Sequence, residues 1–293
     1  MAAGRHGVIV VDKPAGMTSA RAVDVARARV GADRAGHGGT LDPLATGVLA
    51  IAVGSATKLA GFLLSDDKAY VADCVFGVAT DTLDRAGAVV AERPWQHVDE
   101  RALLAALAAR VGEQDQVPPM YSAIKVDGVR LHERARAGED IDRAPRRVRV
   151  DALELVAWAP PRARIAIACG KGTYVRSLLA DLAADLGTVA HMAELRRTRA
   201  GRYTIEQAVP LDALSPDTPR VPIEDISNLP SVLVPEHELR LVMHAVQLAA
   251  DRLAPAMPAR CQLVDASGTL CAVVHVDDRG RVIYDRVFPE LFR

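Results

Sequence analysis

The chain has 293 residues, of which half are apolar and a quarter are charged, the balance of a folded globular protein. This composition excludes a disordered chain, a collagen-like repeat and a disulfide scaffold. No stretch approaches the roughly 18 uncharged apolar residues of a membrane span, and the apolar run at residues 8–11 is too short for a secretory signal. The four cysteines form no C-x-x-C pair, so we expect buried free thiols in a cytoplasmic protein.

The charges are distributed unevenly along the chain. Counted over Lys, Arg, Asp and Glu, residues 1–120 carry −2, residues 121–202 carry +6, and residues 203–293 carry −5. A basic middle between acidic flanks is typical of a protein that binds a polyanion in one region. An ordinary solvated surface gives the same pattern, so charge alone does not establish nucleic-acid binding.

In chain order, the first predicted elements are a helix, a strand and a second helix. The first helix is capped by Thr18 or Ser19, runs to about Val30 and stops at Gly31, and a strand covers residues 70–78. The second helix starts at Asp99 and ends at residue 112. Its predicted apolar face consists of Leu103, Leu104, Leu107 and Val111.

The middle of the chain alternates between an arginine-rich insertion and regular elements. Residues 128–147 have little apolar pattern and are interpreted as an exposed, mobile insertion. Strands are predicted over residues 148–157 and 164–169. A helix with a clear apolar stripe follows over residues 173–186, and Gly187 ends it.

A proline-rich passage at residues 210–235 marks the expected boundary between two domains. We place the large domain at residues 1–225 and a small β-rich domain at residues 226–293. The small domain is predicted to contain one helix, at about residues 236–248, and then three short strands.

One segment, GHGGTLDPLATGVL at residues 36–49, places four glycines around Asp42. Glycines allow close approach of another chain, and Pro43 pushes Asp42 toward an extended backbone, so the carboxylate is stiffly held, as catalysis requires. The same dipeptide is also a common helix start with Asp42 as N-cap, and that interpretation stays open. The segment matches neither phosphate-binding fingerprint, and His37 and Asp42 have no further ligand at metal spacing.

The longer stretch RAGHGGTLDPLATGVL resembles the catalytic motif of the TruB family of tRNA pseudouridine synthases. Further similar stretches follow in the family's order: VVDKPAGMTS at 10–19, DKAY at 67–70, VPPMYSAIK at 117–125, GTYVRS at 172–177 and LRRT at 195–198. The resemblance covers about residues 7–210, and the C-terminal part resembles a small RNA-binding domain of the PUA type only loosely. The insertion at 128–147 resembles the family's flexible thumb loop.

The resemblance implies an α+β fold with a mixed, mainly antiparallel central sheet flanked by helices and loops, followed by a small β-rich, PUA-like domain. It also implies conversion of the T-loop uridine at tRNA position 55 to pseudouridine, in which the N1–C1′ bond breaks and a C5–C1′ bond forms. That isomerisation needs no redox cofactor and no metal. The implied partner is the tRNA T stem-loop, with no membrane and no obligate protein partner, and a monomer is expected.

The family's site residues map onto this sequence one by one. Its catalytic aspartate maps onto Asp42, and an Asp of ordinary pKa near 3.9 is ionised at neutral pH. Arg176 maps onto the arginine that pairs with it, and Tyr70 onto the tyrosine that stacks on the uracil and helps move the C5 proton. Leu195 maps onto an apolar residue of the base pocket, and His37 onto a histidine that helps displace the target loop. Further substrate contacts are expected from Gly38, Tyr174, Arg196 and Arg197.

Two groups of arginines are expected to contact phosphates and to make RNA affinity dependent on salt. The first group, on or near the insertion, comprises Arg130, Arg134, Arg136, Arg143, Arg146, Arg147 and Arg149. The second comprises Arg196, Arg197, Arg199 and Arg202.

Two other classes of function stay open. An RNA-binding or RNA-folding factor could carry these residues without depending on them for catalysis, although the complete set of Asp42, Tyr70 and Arg176 argues against a purely binding role. A sugar-processing hydrolase needs a second acid near the first. The carboxylates available for it are Asp67, Asp81 and Asp84.

Overall fold

The structure is a computed structural model, and it describes residues 6–64, 67–122, 125–126, 129–130, 134 and 141–292. Its strands are β1 (Gly7–Lys13), β2 (Ala35–His37), β3 (Thr46–Val53), β4 (Lys68–Phe76), β5 (Val78–Thr80), β6 (Val89–Glu92), β7 (Gly112–Gln116), β8 (Lys125–Val126), β9 (Val129–Arg130), β10 (Arg146–Ala159), β11 (Arg162–Cys169), β12 (Ala190–Ala200), β13 (Tyr203–Thr204), β14 (Val209–Pro210), β15 (Ser231–Leu233), β16 (Arg260–Val264), β17 (Leu270–Val276) and β18 (Val282–Val287). Its helices are α1 (Ser19–Arg29), α2 (Ala60–Leu64), α3 (Glu100–Ala109), α4 (Val175–Asp185) and α5 (Glu236–Met243).

Ten of these strands form one large sheet in the order β14-β1-β3-β12-β4-β11-β10-β7, with β2 added to β3 and β13 added to β12. The β1–β14 and β3–β12 pairs are parallel, and the other pairs are antiparallel. Two short hairpins, β5–β6 and β8–β9, lie outside it. The predicted α+β class with a mixed, mainly antiparallel central sheet is therefore confirmed.

Strand β1 shows how the sequence builds two cores at once. Successive side chains of a strand point to opposite faces of the sheet. Ile9 and Val11 consequently pack against α1 on one face, whereas Val8 and Val10 face the other side, where Phe288 of the C-terminal part joins the same cluster. Full burial of each such side chain contributes about 2 kcal/mol. An uninterrupted apolar run is therefore required in β1, and the sequence supplies one.

The second core lies between the sheet and the helices α3 and α4. Leu103 and Leu107 of α3 are buried there with Leu178 and Leu182 of α4. The predicted apolar face of α3 is partly wrong, because Leu104 and Val111 are 47% and 44% exposed. Leu104 follows Leu103 by one residue, so it points about 100° away around the helix.

The C-terminal part forms its own sheet in the order β15-β16-β17-β18 and packs α5 against it. The predicted small β-rich domain is thus present, with two corrections. The helix ends at Met243 and not at residue 248, and β15 adds a fourth strand in parallel with β16. Backbone N–H groups of Ala245 and Val246 close the last turn onto Val242 and Leu241, which ends the helix early.

Lys58 joins the two sheets. Its Nζ donates to the carbonyl of Val287 at 2.8 Å and lies 2.7 Å from Glu290 Oε1, and its ammonium sits over the Phe288 ring. The two units therefore share an apolar and charged contact. The boundary at residues 225 and 226 remains a prediction.

Other predicted elements have clear outcomes. Helix α1 is capped by Thr18, and α4 ends before Gly187 as expected. The four cysteines are buried and free. Much of the insertion at 128–147 lies outside the described residues, although β10 already starts at Arg146, two residues inside its predicted end. No helix in the described part of the chain is long and apolar enough to cross a membrane.

Candidate active site

A cavity of about 320 Å³ opens where β4 and β12 meet the loop after β11, the start of α4 and the loop before β3. It is lined by residues 39–42, Lys68, Tyr70, Ser122, Gly170, residues 172–176, Leu195 and Arg197. Six of the nine residues predicted for the site line this cavity: Asp42, Tyr70, Tyr174, Arg176, Leu195 and Arg197. Among the described lining residues, Asp42 is the only carboxylate.

Asp42 lies in a turn, and no α-helix starts at it. Its carbonyl accepts a hydrogen bond from Ala45 N at 3.0 Å, and β3 follows at Thr46. The interpretation of Asp42 as a helix N-cap is therefore wrong. No helix can form here because the chain enters the central sheet directly after this turn. Gly47, with a φ of +101°, allows β3 to pass close to β12.

The backbone on both sides of Asp42 is held by side chains from distant elements. Ser19 Oγ donates to the Leu41 carbonyl at 2.9 Å and accepts from Leu41 N at 2.8 Å. The carbonyl of Pro43 accepts from Gly16 N at 2.8 Å and from Lys13 Nζ at 3.4 Å. The predicted stiffness of this loop therefore comes from long-range tethers as well as from the proline. Sequence reasoning treated Ser19 only as a helix start.

Arg176 connects Asp42 to two backbone carbonyls behind the cavity. Its Nε lies 2.9 Å from Asp42 Oδ2, and its two terminal nitrogens donate to the carbonyls of Thr82 and Tyr121 at 2.9 and 2.8 Å. The side chain is only 4% exposed, so it is not a surface residue. These contacts leave the guanidinium one orientation, with Nε directed at the carboxylate.

Asp84 is a second carboxylate behind Arg176, and sequence reasoning considered it only as a second acid of a hydrolase. Its Oδ2 lies 3.9 Å from Arg176 Nη1, while Thr82 Oγ1 and Ala86 N donate to its Oδ1 at 2.7 and 2.9 Å. It is buried but does not line the cavity. No local signal marks it, because its position depends on the pairing of distant strands.

Burial raises the pKa of Asp42 above its ordinary value, and the nearby Asp84 raises it further. The charges of Arg176 and Lys13 oppose this shift. The carboxylate of ordinary pKa that sequence reasoning assumed is thus not what the structure contains. Arg176 and Lys13 therefore favour the ionised form of a carboxylate that burial disfavours.

Tyr70 and Arg197 form the other wall. Tyr70 is buried on β4, directly opposite Arg197 in the pairing of β4 with β12, and both side chains line the cavity. Burial raises the pKa of Tyr70, and the Arg197 charge opposes that shift. Leu195 lies two residues before Arg197 on β12, so both side chains face the cavity. The intervening Arg196 points away and pairs with Asp12 at 2.8 Å.

Tyr174 precedes α4 and is fixed through its backbone. Gln116 accepts from Tyr174 N at 2.8 Å and donates to its carbonyl at 3.1 Å. Burial raises the pKa of Tyr174. Gln116 is itself buried, so it holds the first turn of the helix that carries Arg176. Sequence reasoning did not identify Gln116.

His37, Gly38 and Arg196 do not line the cavity. His37 ends β2, its Nδ1 has no hydrogen-bond partner among the described residues, and burial lowers its pKa. A Cβ added to Gly38 would lie 2.1 Å from Leu63 Cβ, so this glycine is required for packing against α2. The structure thus separates these three residues from the group around Asp42.

Many of the predicted phosphate-binding arginines have partners inside the protein. Arg149 pairs with Asp67 at 2.8 Å, Arg147 lies 3.4 Å from Glu113, and Arg143 donates to a backbone carbonyl. Arg197 is 1% exposed, so it does not lie on the surface where a phosphate contact was expected. Arg136 lies outside the described residues.

Comparisons with known proteins agree with this architecture. Residues 27–175 match the family described as "TruB family pseudouridylate synthase (N terminal domain)", and residues 176–235 match "tRNA pseudouridylate synthase B C-terminal domain". The tRNA pseudouridine synthase B of Syntrophotalea carbinolica is 38% identical over 287 residues, which cover 94% of each chain. That of Aromatoleum aromaticum is 45% identical over 251 residues, which cover 83% of this chain and 81% of the relative.

A solved structure shares the fold over nearly the whole chain. The crystal structure of a Cbf5-Nop10-Gar1 complex aligns with a TM-score of 0.73 at 26% identity, covering 97% of this chain and 85% of that one. The chain therefore has the pseudouridine synthase fold. From the family matches and the identity to its relatives, it belongs to the TruB family of pseudouridylate synthases.

Proposed function

We propose that this protein isomerises a uridine of tRNA to pseudouridine, with Asp42 as the catalytic carboxylate, and that its target is the T-loop uridine at tRNA position 55. The observation that carries this proposal is the placement of Asp42. It is the only carboxylate among the described residues of the cavity wall, and Arg176 fixes it at 2.9 Å. Relatives at 38% and 45% identity bear the name tRNA pseudouridine synthase B.

The chemistry agrees with a single ionised carboxylate. The reaction breaks the N1–C1′ bond, forms the C5–C1′ bond and moves one hydrogen from C5 to N1, so no atom is gained or lost. Asp42 can attack C1′ or C6, or remove the C2′ proton, and each route starts from the charged form that Arg176 favours. Tyr70, on the other wall, is then suited to stack on the base and to help move the C5 proton.

The same placement disfavours a hydrolase with paired acids. Asp84 is held by Thr82 and Ala86 behind Arg176, and Asp67 is paired with Arg149. Neither lines the cavity, and neither does Asp81. A second acid that activates water is therefore not provided by these three residues.

We further propose that the protein acts as a cytoplasmic monomer on the T stem-loop and that its catalytic domain spans residues 1–225, followed by a PUA-like domain at residues 226–293. One chain supplies Asp42, Tyr70 and Arg176 to one cavity, so no second subunit is required for the site. Free buried thiols are typical of a reducing compartment.

The test is to incubate the protein with unmodified tRNA transcript, without added metal or cofactor, and to map pseudouridine at nucleotide resolution. We expect modification at the T-loop uridine alone. Asp42→Asn keeps the size of the side chain and is expected to lose at least about 10⁴-fold in rate while binding tRNA with unchanged affinity. Full activity of this variant would remove Asp42 from the mechanism. If it still accelerates tRNA folding, a folding role accompanies catalysis.

A further inference from the structure

Arg197 is a buried cation without a carboxylate partner. Its side chain is 1% exposed, and among the described residues no Asp or Glu forms an ion pair with it. Burial lowers the pKa of Arg197, and the interaction with Tyr70 is what opposes that shift. Burying an unpaired charge costs free energy, so other contacts must stabilise this cation.

Backbone carbonyls stabilise the guanidinium. Its Nε donates to the Val48 carbonyl at 2.7 Å, and its terminal nitrogens donate to the carbonyls of Thr40 and Gly39 at 3.4 and 3.2 Å. Tyr70 is the residue directly opposite Arg197 in the pairing of β12 with β4, so the two side chains stand side by side on the cavity face of the sheet. One side chain therefore connects Tyr70 directly to the loop that carries Asp42.

A hydrogen bond between these two neighbouring side chains can have only one direction. A guanidinium has N–H donors and no acceptor, so the phenol oxygen of Tyr70 must accept. The hydroxyl hydrogen then points away from Arg197. Since Tyr70 lines the cavity, a hydroxyl hydrogen that points away from Arg197 is available to a base bound there.

We propose that Arg197 is a positioning residue that orients the Tyr70 hydroxyl toward the base held beside Asp42, and that Arg197 does not contact RNA. This inference rests on the proposed function, because it requires a base in the cavity. It replaces the expected phosphate contact of Arg197 with an action through Tyr70.

The first test needs no activity. The protein is labelled with 3-fluorotyrosine, and its five tyrosines give five ¹⁹F signals, of which Tyr70→Phe identifies one. Because Arg197 favours the ionised phenol, we expect Arg197→Gln to raise the pH at which the Tyr70 signal titrates. Arg197→Met, which also removes the charge, serves as a second variant if the glutamine variant does not fold. An unchanged Tyr70 titration in a folded variant without the charge would overturn the proposal.

The second test is a double-mutant cycle on the single-turnover rate. We expect Arg197→Gln to slow the reaction by about tenfold or more when Tyr70 is present, and by less than about threefold in the Tyr70→Phe background. Equal losses in both backgrounds would show that Arg197 only braces the loop, and would overturn the action through Tyr70.

The third measurement separates positioning from RNA contact. We expect the dissociation constant for tRNA, and its dependence on salt, to be the same for Arg197→Gln and the wild type. Loss of a phosphate contact would instead weaken binding and lower the slope of log affinity against log salt by about 1. That result would overturn the proposal.

Arg164→Gln is the matched control. Arg164 also binds through two nitrogens, to Asp73 at 2.7 and 3.0 Å, but it does not line the cavity. We expect it to leave the Tyr70 signal and the rate unchanged. A wild-type protein that forms no pseudouridine would overturn the proposed function together with this inference. An active wild type with an unchanged Tyr70 titration would overturn the inference alone.

Discussion

The two walls of the cavity each contain a buried arginine, and the two differ in what surrounds the charge. Arg176 faces the carboxylates of Asp42 and Asp84 at 2.9 and 3.9 Å. Arg197 is surrounded by backbone carbonyls and a phenol. The first wall therefore controls charge at the reacting carboxylate, and the second controls where the loop and the phenol lie.

This difference indicates how the two walls should respond to mutation. Changes on the Arg176 wall are expected to alter the rate and its pH dependence, because they alter the electrostatics of Asp42. Changes at the backbone tethers are expected to alter the stability of the fold as well, because each leaves buried polar groups without partners. The four predictions below test this division, from the largest effect to the smallest.

The largest effect is expected for Arg176→Lys. Lysine keeps the charge, but one ammonium cannot donate to Asp42, Thr82 and Tyr121 in the directions that the guanidinium does. We expect a loss on the order of 100-fold in single-turnover rate with little change in tRNA affinity. Arg164→Lys, at the bidentate pair with Asp73, is the control and should retain the rate. A wild-type rate for Arg176→Lys would mean that charge alone suffices on this wall.

Asp84→Asn is expected to have a smaller effect, together with a diagnostic shift in pH dependence. Asp84 raises the pKa of Asp42, so removing its charge lowers that pKa. The acidic limb of the rate profile should then move to lower pH, while looser placement of Arg176 lowers the plateau by about tenfold. Rates measured from acid to neutral pH check both effects. A limb that moves to higher pH would contradict the electrostatic role of Asp84.

These residues also show what the sequence could and could not predict. Asp42 was identified because its glycines and proline are adjacent in the chain, and α1 and α4 were identified because capping and apolar spacing are local. Gln116 was missed, and Asp84 was considered only for a hydrolase, because their roles depend on partners 58 or more residues away in the chain.

The burial of Arg197 could have been found from the sequence. In a strand, residues two apart share a face, and Leu195 was already assigned to the base pocket. The alternation places Arg197 inside and Arg196 outside, as the structure has them. Treating the four nearby arginines as one surface cluster ignored that period. Leu104 was assigned to the core in the same way, without asking which face of α3 it occupies.

Ser19→Ala tests a backbone tether of the Asp42 loop. The substitution removes both hydrogen bonds to Leu41 and leaves a buried N–H and carbonyl without partners. We expect a loss of about 1–3 kcal/mol in the free energy of unfolding and a rate reduction of severalfold. Ser227→Ala is the matched control, because Ser227 is also buried and donates to Gln262 at 2.8 Å in the C-terminal part. It should lose stability without losing rate.

Lys13 is a cation near Asp42, as Arg176 is, and it donates to backbone carbonyls, as Arg197 does. We expect the variant of Lys13 to change stability and rate the least. Its Nζ donates to the carbonyls of Pro14 and Met17 at 2.8 Å, and burial lowers its pKa to about 8, although the charge of Asp42 opposes that shift. Between about pH 8 and the ordinary value of 10.5, the unfolded chain then binds more protons at Lys13 than the folded one does. Its contribution to stability therefore rises with pH across this window, by at most about 1.4 kcal/mol per pH unit. Lys13→Met should flatten that rise in chemical denaturation compared at the two ends of the window. If the variant and the wild type keep the same pH slope, burial does not lower the pKa of Lys13, and its hydrogen bonds to backbone carbonyls are what remains of its role in holding the loop before β3.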